Sequence, residues 1–307
     1  VAAMKEGDAD EVDGALLYLG PRVSVLALRR ALAEEIAPML GAAAHAPILL
    51  AELPRLEARL PSAAGLLRAP LRSIAKMADA RLAWHEDADA AAFDGDAETA
   101  LFERLAAPPL VLSVSAYIAP MMLAVEADGY AERLLGDVTR GLPVEAASRV
   151  ILRAGAHSML QDDAEHAPYG WSHALTMPQA VLANADVAAD RTALIRIAAT
   201  HALGFRATLG KAPLCDEPPP RPRRFSLADV SPIEAAGAVF HADESGIGEI
   251  RTMLATRASM HGDAHLAKYT LAAFDAAARD REASRLFLAA AAYLGAWWDA
   301  HPDAAFE

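Results

Sequence analysis

The spacing of apolar residues is the feature that most limits the fold, because they recur at helical intervals and no segment alternates as a β-strand does. The clearest case is the segment 261–277, in which Asp263 occupies the position of a helix N-cap. Residues on one side of that predicted helix are apolar or small: Leu266, Tyr269, Thr270, Ala273, Phe274 and Ala277. Alanine is abundant and aromatic residues make up only 6% of the chain, a composition that favours helices. The sequence therefore predicts an all-α protein.

One proline-rich segment interrupts the helical pattern. Residues 211–224, KAPLCDEPPPRPRR, contain five prolines and almost no residue suited to a core. The sequence that follows is too short to be an obvious independent domain. We therefore predict a single α-helical domain over residues 1–307, with a histidine-lined core and with 211–224 as a linker that crosses its surface.

Charge and cysteine content exclude several classes of partner and site. The formal charge of −13 disfavours nucleic acid and anionic membranes, because an acidic surface repels phosphate. The single cysteine, Cys215, excludes an intrachain disulfide and a cysteine-built metal site, and it is typical of a reducing compartment such as the cytoplasm. No signal peptide is recognisable in the sequence.

The segment 105–125 is long enough to span a bilayer and has no charged residue. Three prolines interrupt it, at Pro108, Pro109 and Pro120, and several of its residues are polar. We therefore predict a buried core helix here and no contact with a membrane.

Four histidines fall in or beside apolar helical segments and form the main chemical signal: His45, His173, His201 and His265. The spacing around His201 predicts that its side chain points inward. Four such histidines on separate helices are suited to a mononuclear non-haem metal centre. The alternative is that each histidine separately hydrogen-bonds a polar group of the core. Sequence motifs for dinucleotides, nucleoside triphosphates, zinc proteases and serine hydrolases are absent.

Lys268 follows His265 by three residues, so both side chains lie on one face of the predicted helix. Two explanations fit a lysine there. Its ammonium extends to water, or the buried neutral amine reacts with carbon dioxide to give a carbamate, which binds a metal as a carboxylate does.

Three sequence blocks resemble the questin oxidase-like family: AAAHAPILLAEL around His45, SHALTMPQAVLANA around His173, and ASMHGDAHLAKYTLAAF around His265. The second matches a His-x-x-Thr-x-Pro-x-Ala pattern and the third a Gly-Asp-x-His-x-x-Lys pattern. The resemblance covers about half of the chain. The chain departs from the family at Glu52, where the family often has a second histidine.

The resemblance implies an α-helical enzyme that oxidatively cleaves a ring of anthraquinone-type aromatic polyketides. It also implies non-haem iron held by histidines and a carbamylated lysine, which gives ligand roles to His45, His173, His265 and Lys268. His201 is added from its position on the inward helix face, with His166 or His157 as alternatives.

We therefore expect an Fe²⁺-dependent oxygenase that uses oxygen for ring cleavage or Baeyer–Villiger-type oxidation of a small apolar aromatic, quinone-like substrate. Tyr169, Trp171 and Met177 are predicted to line the substrate pocket, and core packing is their alternative role. The chain has no nicotinamide or flavin motif, which leaves dependence on NADPH open. Two other functions remain: a non-enzymatic helical protein that binds an apolar ligand, and a metal hydrolase with a carbamylated lysine. The sequence does not distinguish iron from zinc or manganese, nor does it define the oligomeric state.

Overall fold

The structure is a computed structural model of the chain. It describes residues 1–60, 62–87, 91–108, 112, 118–162, 169–210, 212–227 and 229–302, with the backbone alone at residues 87, 169 and 171. All statements below about what the fold contains or lacks refer to these residues.

Helices form most of the described chain, on both sides of the linker. Its α-helices are α1 Ala2–Glu6, α2 Ala9–Leu19, α3 Val25–Ile36, α4 Ala46–Glu57, α5 Arg68–Lys76, α6 Trp84–Asp87, α7 Ala97–Ala106, α8 Ile118–Glu126, α9 Tyr130–Thr139, α10 Val144–Gln161, α11 Tyr169–Ala185, α12 Arg191–Leu209, α13 Pro232–Phe240, α14 Ile247–Met260, α15 Ala264–Arg279 and α16 Ser284–Ala300. Short 3₁₀ turns lie at Gly41–Ala44, Ala63–Leu67, Ala127–Gly129 and Glu244–Gly246. The only β pairing in the described residues is an isolated bridge between Met39 and Arg81. The predicted all-α, single-domain fold with histidines in its core is confirmed.

Helix α11 lies at the centre of the packing. It contacts α12 most extensively and also packs against α10, α15 and α4. Both α11 and α12 are buried on nearly all sides, as expected for helices that are surrounded by others. Because alanine is their commonest residue, the helices approach closely and a side chain on α11 is far from solvent. His173 is on this central helix.

Helix starts follow the cap residues that the sequence indicates. The carboxylate of Asp263 accepts the backbone N–H of His265 at the start of α15, and Asp190 accepts that of Ala193 at the start of α12. Side-chain oxygens satisfy N–H groups that have no partner within the helix. The sequence pattern also predicts helices over 232–240 and 247–260, and the bounds of α13 and α14 agree with both predictions.

Three predicted elements differ from the structure. The segment 105–125, predicted as a core helix, is divided: α7 ends at Ala106, residues 107, 108 and 112 lie outside any helix, and α8 begins at Ile118. Over 173–185 the sequence predicts a helix with Thr176 as its cap, but α11 begins at Tyr169 and Pro178 lies inside it. A proline within a helix costs about 3 kcal/mol, which the burial of α11 against four helices outweighs. The sequence pattern also predicts one helix over 66–84, but α5 ends at Lys76 because the chain then turns and pairs Ala80 and Leu82 with the backbone of Leu40 and Pro38.

The proline-rich linker lies against the helices at several points. The N–H of Leu214 donates to the carbonyl of Ala106, and the Gln161 amide makes two hydrogen bonds with the backbone of Cys215. Most of its described residues are exposed, including Cys215. Among the described helices, none is both long enough and apolar enough to cross a membrane.

Candidate metal centre

His45 follows a strained turn that fixes its ring. Ala42, Ala43 and Ala44 have φ values of 54°, 50° and 55°, in the left-handed region that residues with a Cβ rarely adopt. The turn directs two carbonyls at the His45 ring, so that Nδ1 lies 2.8 Å from the oxygen of Ala43 and 3.2 Å from that of Ala42. Nδ1 must therefore carry the proton that it donates, which leaves a lone pair on Nε2.

His173 lies in the second turn of α11 and is buried. Its ring stacks on Phe205 of α12, with 6.1 Å between centroids and 14° between planes. The packing of α11 against α12 thus fixes the plane of the imidazole ring.

His265 is oriented by the carboxylate that caps its own helix. Oδ1 of Asp263 lies 2.7 Å from Nδ1 of His265 and 2.6 Å from its backbone nitrogen. An Nδ1–H bonded to a carboxylate leaves Nε2 as the acceptor and makes it a stronger base, the arrangement commonly found behind metal-binding histidines.

These three imidazoles converge. The nitrogen atoms that His45, His173 and His265 offer to a metal all lie within 4.8 Å of one another, and no other group of three metal-binding residue types does so in the described chain. Nε2 of His173 is 3.1 Å from Nε2 of His45. The His173 ring is nearly perpendicular to the other two, at 84° and 80°. The arrangement suits one ion approached from three directions.

Lys268 reaches the same point from one turn along α15. Its Nζ lies 2.8 Å from Nε2 of His173 and 3.4 Å from Nε2 of His45. Burial lowers the pKa of Lys268 to about 7, although the carboxylate of Asp263 opposes this shift. Near neutral pH the lysine is thus divided between a cation that donates to the imidazoles and a neutral amine.

Two histidines of the cluster, His45 and His265, favour their neutral form. Burial, with the charge of Lys268 as the second cause, lowers the pKa of His45 to about 4. Burial and Lys268 also lower the pKa of His265, against the effect of Asp263. Neutral imidazole is the form that binds a metal, so neither ligand needs to lose a proton at pH 7.

A pocket of about 350 Å³ opens beside this cluster. Apolar side chains of α4 and α15 form most of its wall, which is lined by His45, Ile48, Leu49, Glu52, Leu56, Thr176, Gln179, Lys268, Leu271 and Ala272. The hydroxyl of Thr176 is buried there without a hydrogen-bond partner. Glu52, at the position where the questin oxidase-like family often has a histidine, instead pairs with Arg55 at 2.9 Å.

The structure brings together four of the five predicted ligands. The fifth, His201, is buried as predicted but does not belong to the three-histidine group, and its Nδ1 is enclosed without a hydrogen-bond partner. Of the two alternatives, His157 bonds Asp216 at 3.1 Å and Gln161 at 3.2 Å, whereas His166 lies outside the described residues.

The predicted substrate-binding residues have different outcomes. Met177 is fully buried in α11 and does not line the pocket beside His45. The side chains of Tyr169 and Trp171 lie outside the described part of the structure. The pocket wall is formed instead by residues that sequence reasoning did not single out, such as Ile48, Leu49 and Leu271.

Part of this wall could have been predicted from the sequence. Ile48, Leu49 and Leu56 follow His45 at helical spacing, which places them on the same face of the helix as the histidine. The orienting role of Asp263 also had a signal, because an N-cap carboxylate two residues before a histidine is within reach of its ring.

Comparisons with known proteins do not identify this chain: no protein-family model, curated protein or solved structure matches it. The resemblance to the questin oxidase-like family remains a prediction from short motifs. Function must therefore be argued from the chemistry of the site.

Proposed function

We propose that this protein is a mononuclear metalloenzyme that oxidises an apolar aromatic substrate with oxygen. His45, His173 and His265, together with Lys268, would hold the metal, and the adjoining pocket would hold the substrate. The observation that carries the proposal is the convergence of three imidazoles and a lysine amine beside an apolar pocket.

The donor set fits a metal of the first transition row. Two of the three imidazoles have Nδ1 bonded to an oxygen of the protein, which directs the lone pair of Nε2 towards the common point. A carbamate on Lys268 would add an anionic oxygen, and the resulting set suits Fe²⁺, Zn²⁺ or Mn²⁺. When bound, a ferrous ion supplies the redox chemistry with oxygen that an oxygenase requires.

The chain's own residues divide the remaining work. Asp263 and the carbonyl of Ala43 keep protons on Nδ1 of their histidines. Leu49, Leu56 and Leu271 exclude water and offer an apolar wall to an aromatic ring. The unpartnered hydroxyl of Thr176 is available to a polar substituent of the substrate.

A metal hydrolase is the second candidate, and Lys268 is the observation that favours it. An amine with a pKa near 7 is partly neutral at physiological pH and can form a carbamate, which in hydrolases bridges two metals and helps to activate water. The group of three histidines is compact enough for one ion, and for that reason we place the oxygenase first.

Elemental mass spectrometry of the purified protein tests the proposal, alongside the variants His265→Ala and Lys268→Ala. We expect near-stoichiometric iron in the parent protein and its loss in both variants, whereas His301→Ala, at an exposed position, retains it. Iron-loaded protein is then screened with quinones for oxygen consumption, with and without NADPH. Zinc without oxygen consumption would favour hydrolysis. A chain that binds no metal, even when Fe²⁺ is supplied anaerobically, would leave the helical apolar-binding protein as the better account.

A further inference from the structure

A second cavity, of about 600 Å³, lies away from the histidine cluster and shares no residue with the pocket beside it. It is a groove between the end of the linker and helices α13 and α14, lined by Arg221, Phe225, Ser226, Leu227, Ala238, His241, Ala242, Asp243, Ser245, Gly246, Ile250 and Met253. We call it the linker groove. Its volume is within the range of about 300–1,000 Å³ that small-molecule sites occupy.

The linker is fixed where it enters this groove. The ring of His241 donates from Nε2 to the carbonyl of Pro219 at 2.9 Å. A Cβ atom on Gly237 would lie 2.2 Å from the carbonyl oxygen of Pro220, so α13 and the linker are in backbone contact there. Arg221 follows directly, and its position at the groove is thus set by the two residues before it.

Three arginines are close in sequence at this end of the linker, Arg221, Arg223 and Arg224, and the first of them lines the groove. All are exposed, and in the described chain none has an ion pair or a hydrogen bond, whereas Arg153, Arg257 and Arg285 are each paired with a carboxylate. The net charge of the chain is −13, so an unpaired cluster of positive charge is unusual on this surface. One carboxylate, that of Asp243, lines the groove, and the nearby Glu244 is already paired with Arg285.

The wall of the groove exposes large apolar side chains. Phe225 is 58% exposed and Met253 is 51% exposed, and Ile250 lies one turn before Met253 on α14. Methionine is flexible and polarizable, and it adapts to apolar ligands of different shape. Exposed apolar area of this kind, bordered by charge, commonly marks a binding site.

We propose that the linker groove binds an amphipathic anion. The apolar body, an acyl chain or an aromatic ring system, lies against Phe225, Ile250 and Met253. A carboxylate or phosphate faces Arg221 at the groove, and the exposed Arg223 and Arg224 add positive charge next to it in the chain. Guanidinium groups bind both anions through paired, charge-assisted hydrogen bonds. Because the groove is concave and has a volume of about 600 Å³, its occupant is a single molecule instead of a membrane surface.

Calorimetric titration of the full chain with decanoate, decyl phosphate and decanol, each below its micelle-forming concentration, tests the charge requirement. We expect both anions to bind and decanol to bind at least about tenfold more weakly, the loss expected when a charged partner is missing. The relative affinity of decanoate and decyl phosphate identifies the headgroup. The triple variant Arg221→Gln, Arg223→Gln, Arg224→Gln should bind the anions about tenfold more weakly than the parent. Arg30→Gln, at an exposed position on α3, should bind them as tightly as the parent does.

A second pair of variants locates the site. Met253→Glu places a negative charge in the groove and should abolish anion binding, whereas Met260→Glu, 82% exposed on the same helix, should not. Leu271→Glu places the same charge in the pocket beside His45 and should leave anion binding intact. All three positions are exposed, and circular dichroism verifies the fold. Three results would each overturn the proposal. Decanol could bind as tightly as decanoate, or the binding of decanoate could be lost in Leu271→Glu but kept in Met253→Glu. The third such result is a protein that binds anionic phosphatidylserine vesicles but none of the three small molecules.

Discussion

The backbones of α10 and α11 meet at Gly155 and Ala174, where a Cβ atom on Gly155 would lie 2.6 Å from the carbonyl oxygen of Ala174 and 3.2 Å from the Cα of Leu175. A Cβ contact below 3.0 Å requires backbone to move, since neither neighbouring atom belongs to a flexible side chain. Ala174 follows His173, so the absence of a side chain at position 155 sets how far the His173 ring reaches towards His45.

The variant Gly155→Ala should therefore displace the part of α11 that carries His173. We expect a loss of about 1–3 kcal/mol in the free energy of unfolding, as for other overpacked cores, together with weaker metal binding. Urea unfolding and metal titration measure the two effects. Gly14→Ala is the matched control, because nothing lies within 4 Å of its Cβ position on α2 and alanine favours a helix there. Lower stability with unchanged metal affinity would show that the contact serves folding alone.

Asp263 has two roles at the start of α15, and Asp263→Asn separates them. Asparagine caps a helix about as well as aspartate, so the metal-free protein should keep its unfolding free energy within about 0.5 kcal/mol. The loss of the carboxylate that bonds Nδ1 of His265 should weaken metal binding about 10- to 100-fold. Asp190→Asn makes the same change at the cap of α12 and should not alter metal affinity. Equal affinities in both variants would contradict the orienting role of Asp263.

Much of the fold was predictable because local residues mark the helix ends. Asp190 and Asp263 cap α12 and α15 where the sequence indicates, and in the structure Ser231 and Glu234 form a capping box at the start of α13. The start of α11 was not predictable in this way. Pro178 is typical of a first helical turn, and only the burial of α11 by its neighbours makes a proline tolerable in its interior.

The site was predictable from sequence to a smaller extent. Periodicity correctly placed His201 on an inward face, but a helix face specifies burial and not which neighbour a side chain meets. The meeting of His45, His173 and His265 depends on the packing of α11 against α4 and α15, which are far apart in sequence. Local patterns gave four candidate histidines and a neighbouring lysine, and the resemblance to a family gave ligand roles to these three histidines and Lys268 but not to His201.

Carbamylation of Lys268 should depend on pH in a defined direction. The neutral amine is the form that reacts with carbon dioxide, and its fraction rises as pH increases through the pKa of about 7. At a fixed pressure of carbon dioxide, we expect more carbamate and tighter metal binding at pH 8 than at pH 6. The pKa of His45 is about 4, so this ligand stays neutral over that interval and does not produce the change.

Carbon-13 NMR with labelled bicarbonate detects the carbamate directly, and metal titration at each pH follows its effect. Lys268→Met should show neither the carbamate signal nor the increase in affinity between pH 6 and pH 8. Lys268→Glu, which supplies a carboxylate without carbon dioxide, should bind metal more tightly than Lys268→Met. Binding that is the same with and without carbon dioxide would mean that the three histidines hold the ion alone.

His201 should make the metal-free protein sensitive to acid. Complete burial lowers the pKa of His201 to about 4, whereas in the unfolded chain it has the ordinary value near 6.5. Between these values the unfolded state takes up a proton that the folded state does not, so the contribution of His201 to stability is lost as pH falls from 6.5 towards 4. The largest slope from one such group is about 1.4 kcal/mol per pH unit.

Urea unfolding of the metal-free parent and of His201→Leu, at several values between pH 4 and pH 7, isolates this effect by difference. The variant should gain stability relative to the parent as the solution is acidified, because it has no proton to bind at this position. At pH 7 it should be close to the parent in stability, since leucine removes a buried nitrogen that has no partner. His301→Gln, at an exposed site, should follow the parent at each pH. If His201→Leu also lost bound metal, His201 would be a ligand after all, as its inward position on α12 first suggested.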